Sequence, residues 1–210
     1  MGPLFTIMYI FKLIMQYALK QLKYRLEKYI IDILKRLYIW RIVMGFLSKL
    51  FGKQEEKIEE LVINSYMKGK IVDITEVPDP VFSQKMMGDG FAIIPEEGKL
   101  VSPVAGEIIQ VFPTKHAFGI KAGDVELLIH VGLETVSMEG EGFDVKVSAG
   151  DKVEVGQTLL SYDLELVKEK AKDTITPCVV TNMGVVDSIN VSKLNETVDF
   201  SQEVASIKLK

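Results

Sequence analysis

From Lys68 onward the chain is cut by glycine, proline and aspartate into short apolar runs: GKIVDI, GFAIIPEEGKLVSP, GEIIQVF, AFGIKAG, VELLIHVG, FDVKVSAGD, TLLSYD, PCVVTN and ASIKLK. Runs this short and this rich in β-branched residues cannot be core helices, and turn signals recur about every eight to twelve residues, the pattern of an all-β sandwich or barrel. Only DLELVKEKAK, residues 163–172, carries helical periodicity. VSPVAGEIIQV and the later VSAGDKVEVGQTLLSYD share a strand-turn form and are expected to pack on each other. GKIVDI and GEIIQV share a turn-then-strand pattern that is too short to establish an internal duplication.

Ahead of this region the composition is different material. Residues 1–43 hold five of the seven Tyr and the only Trp, but one of the sixteen Gly. They carry eight Lys/Arg against two Asp/Glu (+6), leaving seventeen against twenty-seven (−10) for the rest and a net charge of −4. MGPLFTIMYIFKLIMQYAL is interrupted by Lys12 and Gln16 and barely reaches the ~20 residues that span a bilayer. It also lacks the small-residue cleavage site of a signal peptide. A helical or disordered extension is expected, with three readings: an interfacial helix, a weak anchor, or residues outside the mature protein. The last is favoured, because the Ile, Leu, Tyr, Lys and Phe bias is that of translated AT-rich upstream DNA, and MGFLSKLFGKQEEK from Met44 looks like a natural start. Residues 44–61 read as an amphipathic or linker segment with at most weak membrane contact, and residues 62–210 as the folded domain.

The chemistry of that domain must pass through few side chains: His116, His130 and Cys178. One cysteine permits no intramolecular disulfide and fits a reducing compartment. The acidic balance lacks the basic, aromatic-interleaved footprint of a nucleic-acid binder and suits a basic protein partner. In VELLIHVG, alternation places Val125, Leu127 and Ile129 on one face and Glu126, Leu128 and His130 on the other. His130 is then either a packed core residue or a site residue. Gly132 lets the backbone approach its ring, and a neighbouring carbonyl could fix which nitrogen carries the proton. In VFPTKHAFGI, Thr114 precedes His116 by two residues, which on a strand means the same face. A hairpin from His116 through KAGD to His130 would let both rings meet, a plausible site for an anion or a phosphoryl group.

These stretches resemble a known family. EVPDPVFSQKMMGDGFAI, FPTKHAFGI, LLIHVGLETV, GEGFDVKVSAGD and EKAKDTITPCVVTN, in that order, are similar to the glucose-type IIA domain of the bacterial phosphoenolpyruvate-dependent sugar phosphotransferase system. The resemblance implies an antiparallel β-sandwich (barrel-sandwich hybrid) with short helical turns, no cofactor and no metal. It implies a cytoplasmic phosphocarrier that takes a phosphoryl group from phospho-HPr and hands it to a cysteine of a IIB domain. His130 matches the phosphorylated histidine, His116 the second histidine that contacts the phosphoryl group, and Thr114 the hydroxyl that supports it. The Gly132 carbonyl is expected to hold Nδ1–H of His130, leaving Nε2 to attack, with His116 and backbone N–H groups as donors to the equatorial oxygens. Val81, Phe82, Met86, Met87, Phe112 and Leu128 match an apolar ring around the site. Asp79 and Glu134 match rim carboxylates that face basic side chains of the donor, although Glu134 stands where an aspartate is expected.

Two other classes compete. A zinc endopeptidase of the lysostaphin type has strands like SPVAGEI and HVGLETV, but zinc catalysis needs about three protein ligands and this chain has only two histidines. A biotinyl or lipoyl carrier is suggested by VSAGDKVEVGQTLLSYD, without a clear counterpart of the modified-lysine motif.

Overall fold

The computed structural model describes residues 59–210. The basic segment 1–43 and nearly all of the stretch 44–61 lie outside these residues, and so do the expectations attached to them. The described chain forms fourteen strands, numbered in chain order, and every hydrogen-bonded pair is antiparallel. The largest sheet has the order β13 (Thr197–Val198), β2 (Gly69–Asp73), β3 (Asp89–Pro95), β11 (Thr176–Val180), β7 (Val125–His130), β6 (Ala117–Ala122), β5 (Gly106–Val111), β9 (Lys152–Val153). Two three-stranded sheets complete the sandwich: β1 (Glu60–Asn64), β14 (Glu203–Leu209), β12 (Val186–Val191), and β4 (Lys99–Val101), β10 (Thr158–Tyr162), β8 (Phe143–Val145). The two strand-turn units singled out in the sequence do pack together, through Val101 opposite Thr158 and Gly106 opposite Val153.

Period-two alternation sorts the large sheet into two buried faces. Ile71, Phe91, Ile93, Phe118, Leu127, Ile129 and Cys178 point into the main core, where they meet Ile63, Leu100, Leu160 and Ile207 from the small sheets. Their neighbours Val72, Ala92, Ala117, Leu128 and Val179 point the other way and form a second cluster with Val77, Phe82, Leu133 and Ile175. Each fully buried aliphatic side chain contributes roughly 1.5–3 kcal/mol. Burial on both faces explains why PCVVTN and VELLIH read as almost continuous apolar runs.

The second cluster is roofed by a helix of a single turn, α1 (Pro80–Ser83), which carries Phe82. Asp79 starts it by accepting from the Val81 N–H at 2.8 Å, and proline occupies the first turn, where its missing N–H costs nothing. Four residues are too few to show periodicity, so α1 was not legible as a helix. The expected helix is α2 (Leu164–Lys170), capped by the Asp163 carboxylate on the Leu166 N–H at 3.0 Å.

Candidate functional site

Strands β6 and β7 form a hairpin that pairs Ala117 with His130, and His116 immediately precedes β6. The ladder continues one step further, with the Val131 N–H donating to the His116 carbonyl at 2.7 Å. The two histidines therefore sit side by side at one end of the hairpin, their ring centroids 4.6 Å apart and their planes inclined at 68°.

Thr114 reaches this pair by a different route from the one expected. It lies in a turn closed by the Lys115 N–H on the Phe112 carbonyl at 2.8 Å, with Lys115 at φ 60°, and neither Thr114 nor His116 is within a strand. The turn brings Thr114 Oγ1 to 2.6 Å from His116 Nδ1. With the hydroxyl as donor, His116 carries its proton on Nε2 and presents it as an N–H donor.

His130 has the complementary arrangement. Its Nδ1 lies 2.7 Å from the Gly132 carbonyl, an acceptor only, so Nδ1 carries the proton and Nε2 carries the lone pair. The chain must turn back sharply for this carbonyl to reach the ring, and Gly132 does so at φ +67°. A Cβ there would stand 2.8 Å from Thr135 Cγ2 and 3.0 Å from the Asp173 carbonyl.

Electrostatics keep both rings neutral. Burial pushes the His130 pKa below the ordinary histidine value, opposed by the Gly132 carbonyl and the Asp79 carboxylate. Burial, and then the neighbouring His130, push His116 down to about 4. A neutral pair, one ring offering a lone pair and the other an N–H, suits an electrophile that carries anionic oxygens. Cys178 offers no competing nucleophile, because burial holds its thiol up at about 12.

The surrounding residues divide into a floor and a rim. Phe82 and Leu128 are buried, and Phe112 is half-buried. The Phe82 ring lies 5.6 Å from His130, and the Phe112 ring 5.6 Å from His116. Val81, Met86 and Met87 are exposed, Met86 at 70 %, so they present most of the free apolar surface of the six. Asp79 caps α1, and Glu134 stands in a left-handed conformation at φ 60°, its carboxylate 3.7 Å from Lys172 Nζ. That conformation favours aspartate or asparagine over a longer side chain.

Four residues of this neighbourhood escaped the sequence reading. Ile109, 42 % exposed, is the extra residue of a bulge in β5 and lies beside Gly119 on the face that carries Leu128. The glycine within AFGIKAG was its one available signal. Val136 is exposed on the turn Thr135–Met138 that follows Glu134. Thr135 and Thr176 are completely buried beside Gly132.

The backbone that directly follows His130 is engaged within the protein. The N–H groups of Val131, Gly132 and Leu133 donate to the His116 carbonyl, Thr176 Oγ1 and the Asp173 carbonyl. The expectation that backbone N–H groups face an incoming phosphoryl group is corrected for these three, whose protons are already spent on protein acceptors. His116 Nε2–H is one donor that the Thr114 contact leaves at the site. Among the described residues there is no cluster of three or more His, Cys, Asp and Glu side chains that could hold a metal ion. None of the described helices is long and apolar enough to cross a membrane.

Comparison with known proteins places this geometry in a lineage. Residues 61–186 match the family described as phosphoenolpyruvate-dependent sugar phosphotransferase system, EIIA 1. A protein of Halalkalibacterium halodurans named PTS system glucose-specific EIIA component is 53 % identical over 169 residues, covering 77 % of this chain and 98 % of the relative. A Staphylococcus aureus protein of the same name is 46 % identical over 163 residues, covering 77 % and 98 %. The solved structure of the glucose permease IIA from Mycoplasma capricolum superposes with a TM-score of 0.65 at 36 % identity, covering 70 % of this chain and 95 % of that one. The ordered motifs, the antiparallel sandwich and relatives matched over nearly their whole length agree: the chain belongs to the EIIA 1 family of the phosphoenolpyruvate-dependent sugar phosphotransferase system.

Proposed function

We propose that this chain is a histidine phosphocarrier of the cytoplasm, receiving a phosphoryl group from phospho-HPr on Nε2 of His130 and delivering it to a cysteine of a IIB domain. The observation that carries this reading is the 2.7 Å contact between His130 Nδ1 and the Gly132 carbonyl, beside a second neutral histidine. In the first step the Nε2 lone pair forms a bond to phosphorus while the bond from phosphorus to the donor breaks. The ring gains positive character, and the Gly132 carbonyl accepting from Nδ1–H stabilises it. His116, held by Thr114, donates from Nε2–H to an equatorial oxygen, and in the second step a cysteine thiolate displaces His130 from phosphorus. Little covalent help is needed, so positioning supplies most of the catalysis. The exposed Val81, Met86 and Met87 are an adaptable apolar contact for both partners, and Asp79 and Glu134 flank it with negative charge. The curated relatives are named glucose-specific, so a glucose permease is the first acceptor to test.

The test is incubation with phosphoenolpyruvate, enzyme I and HPr, followed by detection of acid-labile phosphate. One phosphoryl group per chain is expected on wild type and none on His130→Ala. Label that survives His130→Ala would refute the assignment.

A further inference from the structure

Gly132 is the residue with the least intrinsic reason to keep its orientation, because a glycine at positive φ is free to choose among many backbone conformations. Yet its carbonyl must stay on His130 Nδ1 for Nε2 to keep its lone pair. The hydrogen bonds around it show what holds it. The Val131 carbonyl accepts from Thr135 Oγ1 at 2.8 Å, and the Gly132 N–H donates to Thr176 Oγ1 at 3.2 Å. Those two groups are the two ends of a single peptide plane, between Val131 and Gly132. Both threonines have zero exposure, so water cannot replace either contact.

The direction of the second contact is also determined. Thr176 Oγ1 donates its own proton to the Thr174 carbonyl at 3.0 Å, which turns a lone pair toward Gly132. The Thr176 carbonyl accepts from the buried Tyr66 hydroxyl at 2.7 Å, tying this point of β11 into the core. We propose that Thr135 and Thr176 are positioning residues for His130: their hydroxyls grip the Val131–Gly132 peptide plane at both ends and, together with the Leu133 N–H, which shares the next plane with the Gly132 carbonyl and donates to the Asp173 carbonyl at 2.8 Å, keep that carbonyl on Nδ1. Neither threonine touches the reacting atoms. They act through the glycine, selecting the tautomer in which Nε2 is the nucleophile. As a statement about catalysis this rests on the phosphocarrier reading above; as a statement about the tautomer it does not.

The test compares the full-length wild-type chain with Thr176→Val, Thr176→Ser, Thr135→Val and Thr135→Ser, each checked for cooperative unfolding. Magnetic resonance of isotope-labelled histidine reads the His130 tautomer with no donor present, and phosphoryl acceptance from phospho-HPr is measured separately. Wild type is expected to show the Nδ1–H form alone. Each valine variant is expected to mix the two tautomers and to accept the phosphoryl group roughly tenfold more slowly or worse, the scale on which small misplacements act. Each serine, which restores the hydroxyl, is expected to recover both properties. If Thr176→Val does not fold, Thr135→Val reads the opposite end of the same plane. Valine variants that keep the single Nδ1–H form, or serine variants that fail to restore it, overturn the proposal. Label that survives His130→Ala would overturn the phosphocarrier reading and leave the tautomer result standing.

Discussion

His116 and His130 differ in what their Nδ1 atoms meet, a hydroxyl in one case and a carbonyl in the other, and that difference sets which nitrogen of each ring carries the proton. His116 also carries a signature in acid. Its pKa of about 4 in the folded chain compares with ~6.5 when unfolded. Above the unfolded value both states are neutral and the full stability is present. As pH falls, the unfolded chain binds a proton that the folded chain refuses, so stability is lost until the folded pKa is passed. The shift amounts to about 3 kcal/mol between neutral pH and pH ~4. His116→Gln removes this contribution, and its urea unfolding free energy relative to wild type should rise by about that much over the interval. The same variant keeps the acceptor nitrogen of His130, so it should still take up the phosphoryl group but pass it on poorly. Equal transfer rates to IIB from both proteins would rule out a role for His116 in delivery. The Gly132 carbonyl was legible because it is two residues from the ring in sequence. Thr176 was not, because it lies 44 residues from Gly132 and only the packing of β11 against β7 brings them together.

At the scale of elements, α1 couples a structural feature to a surface one. Asp79 both caps the helix and places a carboxylate at the rim beside Val81. Asparagine also caps well but carries no charge, whereas alanine does neither. Asp79→Ala should cost about 1 kcal/mol in urea unfolding, and Asp79→Asn only a few tenths. Phosphoryl uptake from a basic donor should slow in both variants at low salt and converge on wild type as salt screens the rim. An Asp79→Asn protein with the wild-type low-salt rate would reduce Asp79 to a cap alone. The strands around this helix could be read from their period-two alternation, and α2 from its length. By contrast α1, the bulge at Ile109 and the turn that carries Thr114 depend on single residues or on register, which periodicity does not record.

Across the described domain, the site is assembled at the ends of the central strands β6 and β7 of the large sheet and in the turns joined to them. The sandwich class follows from local alternation. The order β13-β2-β3-β11-β7-β6-β5-β9 does not, because it is decided by pairings between strands distant in sequence. This placement has a consequence for dynamics. The Val131 and Gly132 N–H groups are bonded to His116 beside β6 and to Thr176 in β11, so exposing them requires separating strands that bear the main core. The Asp199 and Phe200 N–H groups, bonded only to exposed side chains, can open by local fluctuation. In native-state hydrogen exchange, Val131 and Gly132 should therefore show the protection of Ile129 and Phe118 and exceed that of Asp199 roughly hundredfold or more. A site that instead exchanged as fast as Asp199 would have to be organised by its partners. Protection equal to that of the core means the acceptor nitrogen is aimed before any donor arrives, so the ordering cost is met in folding and not in each transfer.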